Sequence, residues 1–319
     1  MTAGGAPTVP DLPPDPTETG ALPLDDGQAS ATWAGSGDAG PADGSLVMLD
    51  APATGARPSL TRAAVVSNDH LGDRYWRMRL LAPDIARHTQ PGQFVMLTVT
   101  PSGPSNWVLP RPMAVADRDE MQETIDVVYG AHGWGTRQMA AIGARDELTV
   151  VGPLGNGFRL EPTTRHLMVV GRGIGLCSLS LLAVAASQRG AAVSAVLSAR
   201  HREANVLVPF FEAVPDSRVV TALDSDGSSD PQVLGPELRI LLEETPAQQI
   251  ATCGSRRLLR MCSALAEATG ATLQVAVEAH MACGMGYCHG CSAWVQGVDQ
   301  EGPLVCRDGP VFAWLPAGR

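Results

Sequence analysis

The sequence contains no lysine: all 23 basic residues of the 319 are arginine, set against 33 acidic residues, for a formal net charge of −10. A net acidic chain without basic runs lacks the electrostatic footprint of phosphate-backbone binding, which argues against a nucleic-acid partner. No window approaches the ~18 continuous apolar residues of a membrane-spanning helix. The N-terminus has no basic start followed by an apolar stretch, so no secretory signal is read. These absences predict a soluble, cytoplasmic protein. Glycine (34) and proline (25) are plentiful but show no repeat, which excludes a collagen-like chain. The length leaves room for two domains plus some unpacked chain.

The organisation changes along the chain. Residues 1–58 are rich in Pro, Gly and Ala, and residues 1–57 hold eight acidic residues against one basic. So few large apolar side chains cannot offset the entropy of ordering, and a disordered acidic tail is expected. Short β-rich runs follow at 61–67, 75–81, 93–98, 111–116, 124–129 and 147–151. Turn formers such as Gln90-Pro91-Gly92 and Pro101-Ser102-Gly103-Pro104 separate them. Six short strands at this spacing predict a six-stranded antiparallel barrel over 59–158, interrupted by one helix at 134–142.

From 159 to 277 the rhythm becomes strand–helix–strand. Strands are expected at 166–170, 192–198, 218–222, 249–252 and 273–277, and helices at 176–187, 206–213, 232–243 and 256–268. This alternation predicts right-handed βαβ units and a parallel-sheet nucleotide-binding domain. Residues 278–319 form a small cysteine-rich terminal module.

Seven cysteines are unevenly placed. Cys177, Cys253 and Cys262 are scattered, whereas Cys283, Cys288, Cys291 and Cys306 crowd the C-terminal end. In a reducing compartment such crowding suggests metal ligation before disulfides. The run Cys283-Gly-Met-Gly-Tyr-Cys288-His-Gly-Cys291 has the C-x4-C-x2-C spacing with which plant-type ferredoxins hold a [2Fe-2S] cluster, Cys306 supplying the fourth thiolate. Gly284, Gly286 and Gly290 relieve crowding and let amide N–H groups turn toward the sulfurs. Structural zinc is the rival reading, but zinc sites favour two close pairs of cysteines, and only one is present. A Rieske centre would need a second histidine beside His289, and none is suitably placed.

Two weaker features point to a flavin. Arg111-Pro112-Met113-Ala114 opens a barrel strand, and its arginine could pair with a pyrophosphate. Val128-Tyr129-Gly130 is followed by Gly133-Trp134-Gly135-Thr136 at a helix start, where unpaired N–H groups make a phosphate site. In the α/β domain, Gly171, Gly173 and Gly175 form a short glycine loop between a strand and a helix, one residue short of G-x-G-x-x-G. Cys253-Gly254-Ser255 follows a later strand. Cys253 there stands beside a nicotinamide or is simply a buried thiol.

These stretches resemble the ferredoxin-reductase-like flavoproteins, and more narrowly the electron-transfer subunits of NAD-linked dihydroorotate dehydrogenase. Pro91-Gly92-Gln93-Phe94, Arg111 to Ala114, Tyr129 with Gly133 to Thr136, Gly152 to Phe158, Met281-Ala282-Cys283 with the cysteines that follow, and Cys306 to Phe312 carry the resemblance, over about residues 60–312. It implies FAD on the barrel, contacted by Arg111, Pro112, Met113, Ala114, Val128, Tyr129, Gly130, Gly135 and Thr136. It implies NAD(H) at Gly171, Gly173, Gly175, Cys253 and Gly254, and a [2Fe-2S] cluster on Cys283, Cys288, Cys291 and Cys306. The implied partner is a separate FMN-containing catalytic subunit, in a heterotetramer that oxidises dihydroorotate in pyrimidine biosynthesis. Ala114 departs from the usual serine, Arg172 from the middle glycine of the loop, Cys177-Ser178 from Ala-Pro, and Ser255 from proline.

Nicotinamide exchanges electrons in pairs and the cluster singly, so a flavin belongs between them, and no acid–base dyad is required. Two rival functions stay open at this point. One is a reductase subunit serving a hydrogenase, a sulfite reductase or a ferredoxin. The other is a flavin and iron–sulfur carrier or regulator without turnover.

Overall fold

A computed structural model of the chain describes residues 44–49, 58–99, 109–293 and 301–316. Most of the tail, and the Pro101–Pro104 turn expected between two barrel strands, lie outside the described residues.

The first body of structure is a closed six-stranded barrel. Its strands are β2 (Ser59–Gly72), β3 (Tyr75–Leu81), β4 (Phe94–Thr98), β5 (Arg111–Asp119), β6 (Thr124–Gly130) and β7 (Glu147–Leu154). They are joined in the order β2-β3-β6-β5-β4-β7, and every pairing is antiparallel. Alternate side chains face inward, as the period of a strand requires: Ala63 and Val65, Met78 and Leu80, Val95 and Leu97, Ile125 and Val127, Leu148 and Val150 share one buried core. A short helix, α1 (Pro83–His88), adds Ile85 and Ala86 to that core. A second, α2 (Trp134–Ala140), adds Met139.

The second body is a seven-stranded sheet. Five strands are parallel, in the order β12-β11-β8-β9-β10: β8 (His166–Arg172), β9 (Ala192–Ala199), β10 (Ser217–Leu223), β11 (Gln249–Cys253) and β12 (Thr272–Ala276). Both faces are covered, so the strands read as near-continuous apolar runs rather than alternating ones. Along β8, Leu167 and Val169 face α3 (Leu176–Gln188) and α4 (Val208–Glu212). Met168 and Val170 face α5 (Pro231–Glu244) and α6 (Arg256–Thr269). The strand order reverses between β8 and β11, and the crevice outside the carboxyl ends there is where such sheets bind ligands.

Helix α3 is apolar nearly all round because it is packed on two sides. One side lies on the sheet. The other meets β5 of the barrel, where the Ser180 hydroxyl donates to the carbonyl of Ala116 and Leu181 joins the barrel core. The barrel is thereby seated beside the strand–helix turn after β8.

Two strands correct the expected layout. β13 (Val311–Pro316) pairs antiparallel with β12, and β1 (Gly44–Met48) pairs antiparallel with β13. Disorder over 1–58 therefore fails at least for Gly44–Met48, where Leu46 is buried. Boundaries at 58 and 278 cut through one sheet, because the tail and the terminal module each contribute a strand to it. Backbone pairing to a distant segment makes a strand of residues whose local composition does not.

Candidate functional site

Three groups of residues predicted from sequence gather around the barrel. The first lies where β5 meets α2. Arg111 begins β5, and its guanidinium rests on the first turn of α2. A Cβ built on Gly135 would fall 2.6 Å from Arg111 Nη2, so only glycine admits this approach. The Thr136 hydroxyl accepts from the backbone N–H of His132 and Gly133, at 3.0 and 3.2 Å, and donates to the Gly133 carbonyl. It is spent on shaping the helix start, whose first-turn N–H groups point outward by helix geometry. A guanidinium beside outward N–H groups is a fitting cradle for a diphosphate.

Around this cradle, Pro112, Met113 and Ala114 are half-buried, and Val128 packs toward α3 with its carbonyl 3.9 Å from Cys177 Sγ. Tyr129 faces the other way. Its ring is in the barrel interior and its hydroxyl donates to Asn68 Oδ1 at 2.9 Å, so its side chain cannot serve a ligand on the outer face. Adjacent strand residues point to opposite faces, and Val128 takes the outer one. The His132 ring fills the space beside Gly130 and accepts from Arg74 Nη1 at 3.0 Å. Burial, with Arg74 next, pushes the His132 imidazole below its ordinary value, so it is neutral in this basic neighbourhood.

The second group is the crevice at the sheet's switch point. Gly171 is a packing residue: a Cβ there would strike Leu176 and Leu179 of α3, at 2.6 and 2.9 Å. Gly173 turns with φ +54° and Gly254 with φ +100°. The two loops interlock, since a Cβ on Gly175 would meet the Gly254 Cα at 3.0 Å and Cys253 Sγ at 3.1 Å.

Beneath this junction lies a residue the sequence reasoning does not single out. Glu278, just past β12, is half-buried with Oε1 3.9 Å from Cys253 Sγ. Burial raises the Glu278 carboxyl, and burial with the nearby Glu278 raises the Cys253 thiol. The pair can hold a proton at the floor of the crevice. The available signal is a lone acid ending the apolar run Val275-Ala276-Val277.

The third group is the cysteine module. Gly284 sits against β4, where a Cβ would fall 2.5 Å from Met96 Cγ, so the loop is braced on the barrel. Backbone N–H groups turn inward as the glycines predict. Those of Met285 and Cys288 donate to Cys283 Sγ at 3.4 Å, that of Gly286 to Cys306 Sγ at 3.1 Å, and that of Cys306 to Cys291 Sγ at 3.5 Å. Burial opposes ionisation of Cys283, but N–H donors from Met285, Cys288 and Tyr287 win and bring its thiol down to about 7. Burial and the adjacent Cys291 push Cys306 up to about 12.

Four thiols with backbone N–H groups turned toward the sulfurs of Cys283, Cys291 and Cys306 are the donor set of a [2Fe-2S] centre, and the module fits that group. Asn156 clamps the module to the barrel exit: its N–H donates to the Gly309 carbonyl at 2.5 Å, and Nδ2 donates to the carbonyls of Arg307 and Asp308.

The chain was compared with known proteins. Among solved structures it is similar to the NADH-dependent reduced ferredoxin-NADP oxidoreductase studied for flavin-based electron bifurcation, with TM-score 0.65 and 24% identity over 79% of this chain and 88% of that one. It is also similar to a ferredoxin NADP+ reductase from Neisseria gonorrhoeae, with TM-score 0.55 and 16% identity over 66% of this chain and 92% of that one. Barrel, doubly wound sheet and their order thus define a ferredoxin-reductase-like fold.

Residues 278–314 match the iron-sulfur cluster binding domain of dihydroorotate dehydrogenase B. Over 254 residues the chain is 32% identical to the dihydroorotate dehydrogenase B (NAD(+)) electron transfer subunit of Geobacillus kaustophilus, covering 79% of this chain and 95% of that relative. The Bacillus velezensis subunit of the same name is 32% identical over 78% of this chain and 94% of the relative. The chain belongs to the family of dihydroorotate dehydrogenase B (NAD(+)) electron transfer subunits. Among the described residues no helix is long and apolar enough to cross a membrane.

Proposed function

We propose that the chain carries electrons between an FMN-containing dihydroorotate dehydrogenase catalytic subunit and NAD+, within a heterotetramer in the cytoplasm. The observation that carries this reading is the meeting of three binding places on one barrel. The cysteine loop is braced on Met96 of β4, Arg111 to Ala114 lie on the neighbouring β5, and the Val128 carbonyl of β6 touches Cys177 of the nucleotide domain. Bound in these places, a flavin supplies the conversion between paired and single electrons that links NAD(H) to an iron–sulfur centre.

The remaining work falls to the protein. Arg111 and the first turn of α2 hold the FAD diphosphate, with Pro112, Met113, Ala114, Val128 and Gly130 lining the outer face. Gly171 keeps α3 close to β8, so that Gly173, Gly175, Cys253 and Gly254 bring backbone to the pyridine dinucleotide. Cys283, Cys288, Cys291 and Cys306 hold the iron, and the inward N–H groups stabilise charge on their sulfurs.

The test is anaerobic addition of NADH to the flavin- and iron-loaded protein, followed by EPR. A reduced-cluster signal is expected. Its absence at full iron and flavin content rules the relay out. Co-purification from the native host identifies the partner, and recovery of a hydrogenase or sulfite reductase subunit instead would overturn the dihydroorotate assignment.

A further inference from the structure

Arg172 stands in the glycine loop where the resembling family has glycine. It closes β8 and immediately precedes the short 3-10 turn Gly173–Gly175 that leads into α3. This is the first strand-to-helix turn of the sheet, where a dinucleotide's diphosphate crosses the helix N-terminus. The side chain runs along the carboxyl edge toward the ends of β9 and β10. Nη1 donates to Ser198 Oγ at 3.0 Å and to Asp224 Oδ1 at 3.0 Å, and Nη2 donates to Asp224 Oδ2 at 2.5 Å. Asp224 is itself held in place: the Ser229 hydroxyl donates to it, and Arg257 Nη2 lies 3.7 Å from Oδ1.

A guanidinium has five N–H donors arranged as two forks. Ser198 and Asp224 use three of them, and Asp224 takes the whole of the end-on fork. Among the described residues the side-on fork, made by Nε and the outer hydrogen of Nη2, has no partner, on a side chain that is 21% exposed. Its geometry suits two oxygens of one phosphate. The rest of the loop offers no side-chain donor, because it is glycine and Ile174. Its backbone is also committed on one side, since a Cβ on Gly254 would lie 2.7 Å from the Arg172 carbonyl oxygen.

We propose that Arg172 grips the diphosphate of the pyridine dinucleotide through its side-on fork, and that Asp224 and Ser198 are positioning residues that hold the guanidinium flat along the sheet edge. This rests on the assignment of NAD(H) to the switch-point crevice. It makes the affinity of this chain depend on one side chain where the resembling loop relies on backbone alone.

The test uses ADP-ribose, which keeps the diphosphate and both riboses but lacks the nicotinamide, so that binding is read without turnover. It is titrated calorimetrically into the flavin- and iron-loaded protein at low salt and at about 0.15 M. The wild type should bind, more weakly at the higher salt. Arg172→Gln should bind about tenfold more weakly, the loss expected for one charge-assisted contact, with a flatter salt dependence. Arg172→Lys keeps the charge without the fork. It should fall between the two and retain the salt dependence, and it carries the test should the glutamine variant not fold. Equal affinity of wild type and Arg172→Gln overturns the role of Arg172 while leaving the crevice as the dinucleotide site. Failure of the wild type to bind either ADP-ribose or NAD+ overturns both.

Discussion

The carboxyl of Glu278 and the thiol of Cys253 face each other 3.9 Å apart, beside the glycine loop after β8. Two strands that are neighbours in the sheet, β11 and β12, deliver them. Cys253 is buried and Glu278 half-buried, and withdrawal from water favours the neutral form of each, so that a carboxyl next to a thiol can keep a proton where an exposed carboxylate would not.

This arrangement has a thermodynamic signature. Burial raises Glu278, so the folded chain binds that proton more tightly than the unfolded chain does. The resulting stability is fully present below the unfolded value of about 4.3 and is lost as pH rises through the folded value. Glu278→Gln should remove this term. The melting temperature of the variant, followed from acid to neutral pH, should fall less steeply than that of the wild type, and parallel curves would refute the coupling.

Gly135→Ala separates flavin binding from helix stability. Within a helix, alanine is favoured over glycine by about 1 kcal/mol. Here the added methyl meets Arg111 Nη2 at 2.6 Å and must displace the guanidinium. The purified variant should therefore carry several-fold less flavin per chain at unchanged iron content. A full complement of FAD would show that Arg111 does not hold the diphosphate.

The cysteines divide into ligands and core residues. Cys288→Ser, at an exposed position, should lower iron and acid-labile sulfide while leaving the fold intact. Cys262→Ala should retain both, because that thiol lies in the α6 core and burial pushes it up to about 12. Its cost is one of packing, on the order of 1 kcal/mol. Elemental analysis of the two variants gives the answer, and loss of iron from the second would contradict the assignment.

The tail strand is a stability element. Leu46→Ala removes a buried side chain from the β1–β13 edge and should cost about 2–3 kcal/mol, read as a lowered denaturant midpoint. Equal midpoints for Leu46→Ala and wild type would mean that β1 adds nothing.

Much of the architecture is legible in the residues, because the barrel imposes an alternation on the apolar positions and the doubly wound sheet makes them continuous. The strands around Met78 and Val127 follow the first pattern, and the strand around Val169 the second. What escapes is structure made by partners far away. Gly44–Met48 is a strand because β13 pairs with it, although the composition around it predicts none. α1 is six residues long, too short to show a helical period, and is fixed by Ile85 and Ala86 entering the barrel. Site residues divide in the same way. The cysteine spacing is local chemistry and survives folding intact. Tyr129 lies in a motif, but its strand parity turns the ring inward. Glu278 gains meaning only from Cys253, which is 25 positions earlier.

The contact of Gly284 with Met96 ties the cysteine loop to a strand of the barrel rather than to a hinge. With the cofactors held by the residues proposed for them, the cysteine ligands and the Arg111–Ala114 flavin strand would be fastened to neighbouring strands of one wall, so the spacing between inorganic centre and isoalloxazine would be set by the barrel itself.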